Sequence, residues 1–65
     1  MTADQAVLLD YAVREGLVSL AEAAALLPEA SRRTRQRTLR ALVDAGLLRD
    51  VGAGRATRYV PASDR

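Results

Sequence analysis

Apolar positions follow a helical rhythm over the first forty-six residues, broken twice, and then change to short extended runs. "TADQ" at Thr2–Gln5 has the form of a capping box, with Thr2 as N-cap and Gln5 reaching back to it. It predicts a helix over about 3–15, stopped by Gly16, which is free to take a left-handed C-terminal conformation. Ala6, Leu9, Ala12 and Val13 recur at helical spacing, so this stripe is expected to face the core. Val7 and Tyr11 lie roughly opposite, with Leu8 beside them, and give the helix a second apolar side.

"LVSL" reads as a short extended connection. Ser19 and Glu22 then repeat the capping-box pattern and open a helix over about 20–27, with Leu20, Ala23, Ala24 and Leu27 as its buried stripe. Pro28 stops it, because the residue before a proline is driven out of the helical region. Ser31 is a good N-cap for a third helix over about 31–45, closed at Gly46. The three residues Pro28-Glu29-Ala30 separate the two helices, which is helix-turn-helix spacing. Beyond Gly46, "LLRDV" and "ATRYV" are strand-like runs joined by the glycines of "GAGR", and Pro61 closes the second. The sequence therefore predicts one α+β domain spanning 1–65, mainly α, with three helices and a C-terminal β-hairpin over about 47–60.

Charge sharpens that outline. Residues 1–30 carry Arg14 against five carboxylates, whereas residues 31–65 carry nine arginines against three. The net charge of +2 therefore conceals an acidic first half and a basic second half, a polarity that points to an anionic partner. Five of the ten residues in "SRRTRQRTLR" (Ser31–Arg40) are arginine. Projected at 100° per residue, Leu39, Leu42 and Val43 turn inward, while Arg33, Arg37, Arg40 and Asp44 cluster on the opposite side. Gln36 and Ala41 flank that group. A helix about 10–12 Å across matches a major groove about 12 Å wide. Arginines there can fork onto guanine O6 and N7, and Gln36 can meet an adenine edge. Ser31 and Thr34 sit where the helix N-terminus favours a phosphate. Arg32 lies in the exposed first turn and is read as a phosphate contact. Arg35 falls on the packing side with Leu39, where its stem can cover apolar surface or its head can pair with Glu22 or Glu29.

"VSLAEAAALLPEASRRTRQRTLRALVDAGLLRDVGAGRATRYV" resembles a winged helix-turn-helix domain. It is similar above all to the small winged helices at the C-terminal ends of Fic-family proteins and of RecG-related ATP-binding transcriptional regulators. The capped "SLAEAAALL", the "SRRT" opening, the "L..LVDAGLL" core and turn, and the "GAGRATRYV" wing carry the likeness, over roughly residues 5–60. The resemblance implies a third helix seated in the major groove of double-stranded DNA, with Arg55 and Arg58 of the wing against the backbone or a neighbouring minor groove. It also implies a bacterial, cytoplasmic, nucleoid-associated protein. The family usually keeps an aliphatic residue at the position of Arg35, so a DNA role for this arginine is not implied.

The residue inventory excludes much else. With no histidine and no cysteine, zinc sites, disulfides and imidazole or thiolate catalysis are absent, and the carboxylates are scattered rather than paired. "GAG" joins two strands in a chain without lysine, so it is no phosphate-binding loop. An enzyme, a cofactor and a metal are therefore not expected, nor is a membrane span or signal peptide. The alternative function is a docking or dimerisation module, such as one domain at the C-terminal end of a larger protein, with Val7, Leu8 and Tyr11 as its interface.

Overall fold

The computed structural model describes residues 1–52, 54 and 57–62. Its elements run α1 (Ala3–Glu15), β1 (Val18–Ser19), α2 (Leu20–Leu26), α3 (Arg32–Asp44), β2 (Leu48–Val51) and β3 (Arg58–Pro61). Three helices and a small antiparallel sheet give the α+β, winged-helix layout that the sequence predicts.

Each helix starts and stops for a local chemical reason. Thr2 Oγ1 accepts the Gln5 N–H at 3.1 Å, and Gln5 Oε1 accepts the Thr2 N–H at 3.0 Å. Ser19 and Glu22 make the same reciprocal pair at 3.1 and 2.9 Å. Both boxes satisfy amide donors that a helix start leaves without partners. At the far end of α3, Gly46 adopts φ +79°. Its N–H reaches the Val43 carbonyl at 3.0 Å, and the Leu47 N–H reaches Leu42 at 2.9 Å. These two bonds form a Schellman motif, and the left-handed residue it requires is cheapest as glycine.

The sheet order is β1-β3-β2. Tyr59 pairs with Val18 on one side and Asp50 on the other, and Arg58 pairs with Ser19 and Val51. The two-residue "VS" segment, expected only as an extended connection, thus becomes the third strand and ties the α1–α2 link to the hairpin. The Ala62 N–H donates to Leu47, so by alternation the Pro61 ring nitrogen faces the β1 side, past the residues where β1 pairs.

Leu8, Ala12, Val18, Ala23, Leu27, Leu39, Leu42 and Leu48 form the core. The inward face of α3 matches the expected stripe, and in α2 Leu20, Ala23 and Leu27 do so, but Leu26 rather than Ala24 packs against the core. The face of α1 does not. Leu8 is 0% exposed, whereas Val13 is 61% exposed and Ala6 is also at the surface. The buried line runs through Leu8 and Ala12, with Leu9 and Tyr11 packed at its flanks. That is a rotation of about 90° from the Ala6/Leu9/Ala12/Val13 stripe, at 100° per residue. Because α1 is apolar on more than one side, its periodicity does not select a face. Its contacts with α3, β3 and β1 do. Among the described residues, no helix is long and apolar enough to cross a membrane.

Candidate nucleic-acid interface

The third helix is held by its inner face and free on its outer one. Leu39 and Leu42 are at most 1% exposed, and Val43 packs beside them. Thr38 is buried with them, a position that sequence reasoning passed over. Its Oγ1 donates to the Thr34 carbonyl at 2.8 Å, which satisfies the hydroxyl within its own helix. Arg33, Arg37 and Arg40 line the outer side, while Arg32, in the exposed first turn, lies nearer α2 beside Arg35 and Gln36. Arg32, Arg33, Arg37 and Arg40 are exposed, and so is Gln36 at their flank. Arg32, Arg33 and Arg37 have no hydrogen-bond or ion-pair partner among the described residues. Arg40 Nε meets Asp44 Oδ1 at 3.3 Å, a surface pair one helical turn apart. Such pairs contribute only about 0.3–0.5 kcal/mol, so Arg40 is easily drawn off by a stronger anion.

The start of α3 is chemically organised. Ser31 Oγ accepts the Thr34 N–H at 3.0 Å and donates its own proton to Thr34 Oγ1 at 3.0 Å. The Thr34 hydroxyl accepts in that bond, so its own proton remains available as a donor. Both residues therefore cap the helix first, and together they retain one donor for an incoming oxygen acceptor.

Arg35 departs from both partners expected for it. Its Nη1 donates to the backbone carbonyls of Leu27, at 3.4 Å, and Ala30 rather than to Glu22 or Glu29. Glu22 is already engaged. Its Oε2 accepts the Tyr11 hydroxyl at 3.0 Å while Oε1 holds the Ser19 amide. Of the Val7/Leu8/Tyr11 surface expected on α1, Leu8 is core, whereas Val7 is exposed and Tyr11, half-buried and tied across to α2, lines one surface depression with Val7. The sequence signal for that bridge was the unpaired phenol on α1, but only the helix crossing brings Glu22 to it.

Arg58 begins β3 on the sheet face away from the core, opposite Val51, and its charge reaches Glu22. Arg55 lies outside the described residues. Arg40 is close enough to the Tyr59 phenol to offset part of the upward shift that burial and Asp50 impose on it. Arg40 therefore stands at the corner between α3 and the sheet.

Glu22 links these parts and sets a pH dependence. The Ser19 amide and then the Tyr11 hydroxyl favour its charged form and hold its pKa below the ordinary 4.5, against some opposition from burial. A depressed folded-state pKa contributes stability above the unfolded value, and that contribution is lost as pH falls through the folded one. Denaturant titrations of wild type and Glu22→Gln should therefore differ most at neutral pH and converge in acid below 4.5. The glutamine can still fill the capping box. A difference that is constant across pH would exclude this assignment.

Comparison of the chain with protein-family models, with curated proteins and with solved structures finds no match. Function is accordingly inferred from the fold and from the chemistry of this face.

Proposed function

We propose that the chain is a double-stranded DNA-binding module of winged helix-turn-helix type, serving a bacterial transcriptional regulator in the cytoplasm. The observation that carries this reading is α3 itself. One side is locked into the core. The other presents Arg33 and Arg37 without internal partners among the described residues, within two turns of a Ser31/Thr34 start that retains a free donor. At 1.5 Å per residue, Arg33, Arg37 and Arg40 are spaced about 6 and 4.5 Å along the axis. Base pairs rise about 3.4 Å, so the three arginines span roughly three steps of a groove. Gln36 at the side of this row is suited to adenine, and Arg58 and Arg32 to phosphates. The resemblance to the winged helices of Fic-family proteins and RecG-related regulators agrees with this reading and adds Arg55 of the wing.

The test is a mobility shift on random duplex at low salt with the protein folded. The expected result is binding whose log K falls by about 0.9 per neutralised phosphate as log salt rises. No shift under those conditions sinks the proposal.

A further inference from the structure

We propose that Arg35 is a positioning residue: its guanidinium locks the helix-turn-helix angle and so aims the reading face of α3. The proposal rests on the DNA-binding reading above. Arg35 stands in the first turns of α3, but its Nη1 reaches back across the turn to the carbonyls of Leu27 and Ala30. Leu27 is the C-cap of α2, and its carbonyl also accepts the Ala30 N–H at 3.1 Å. One side chain of α3 thus holds both ends of the link between the two helices.

Three features make this bond more than a surface contact. The seven-residue α2 is too short to be stable alone, and no basic residue stands in its last turn. Arg35 supplies from outside the cation that a helix C-terminus favours. Arg35 is half-buried, which reduces competition from water for its two bonds, and it shares the wall of a surface depression with Leu20 and Ala21. Finally, Arg33 and Arg37 flank Arg35 two positions away on either side, which turns them about 200° around the axis. Any rotation of α3 released by losing the lock is transmitted directly to them. On a helix about 10–12 Å across, a rotation of about 10° moves a peripheral side chain by about 1 Å, enough to spoil a bidentate base contact. An aliphatic side chain at this position fills the same space but binds neither carbonyl.

The experiment compares wild type, Arg35→Leu and Arg35→Lys on two duplexes, one selected from random sequence by the wild type and one scrambled. Measurements are made at a temperature where circular dichroism shows all three folded, with amide hydrogen exchange across Ala30–Thr34 read in parallel. Arg35→Leu should lose roughly tenfold in the ratio of selected to scrambled affinity, the scale of one base contact. Its turn amides should exchange faster, and Arg35→Lys should lie between, because an ammonium keeps the charge and the donors but lacks the planar guanidinium that fixes Nη1 between the two carbonyls. An Arg35→Leu protein that keeps both the ratio and the protection overturns the lock. An equal loss on both duplexes with unchanged exchange makes Arg35 a phosphate contact instead and also overturns it. A wild type that binds neither duplex removes the DNA reading and the aiming role together, while faster exchange in Arg35→Leu would still identify the turn lock.

Discussion

Leu8→Ala should cost about 2–5 kcal/mol and leave much of the population unfolded or nearly so. Leu8 is 0% exposed and belongs to the central cluster, so its truncation removes transfer free energy and leaves a cavity. A chain of 65 residues has only about 3–10 kcal/mol of total stability at ordinary per-residue values. The matched substitution is Val13→Ala on the same helix. At 61% exposed, Val13 should change stability by no more than about 0.5 kcal/mol. Urea denaturation of the two variants reads the rotational phase of α1 directly. Equal losses, or a larger loss at Val13, would restore the stripe that periodicity alone favoured.

The Arg33→Ala/Arg37→Ala double variant should lose about 2–6 kcal/mol of affinity for a selected duplex, from about 1–3 kcal/mol for each base-reading arginine. Affinity falls roughly tenfold for every 1.4 kcal/mol, so the change spans about one and a half to four decades. Stability should hardly move, because both side chains are exposed and make no internal bond among the described residues. Selection from random duplex with wild type and double variant makes the comparison with no binding sequence assumed in advance. The wild type should enrich a short guanine-containing sequence and the variant should not. Enrichment of the same sequence by both would assign base reading elsewhere.

The capped helix starts were legible because each depends on residues three apart in sequence. Thr2 with Gln5, Ser19 with Glu22, and Ser31 with Thr34 make their bonds before any tertiary contact is needed. The same locality made Gly46 and Pro28 readable as stops. For α3, the contrast between the leucine side and the arginine side left one solution for its orientation, and the candidate interface followed from it. Helix α1 offered no such contrast. The wing was legible as a hairpin, but not its pairing with β1, since a two-residue strand has almost no signature of its own.

Sequence by itself determined the order of elements, the ends of the helices and the outward face of α3, because those depend on short-range bonds and on one strongly polarised helix. Tertiary structure alone decided which side of α1 is buried, that Tyr11 reaches Glu22, that "VS" completes the sheet, and that Arg35 binds carbonyls instead of carboxylates. Each of these joins groups that are distant along the chain or chooses between local options of similar energy. Only the packing of α1, α2, α3 and the sheet against one another brings the partners together and separates the options.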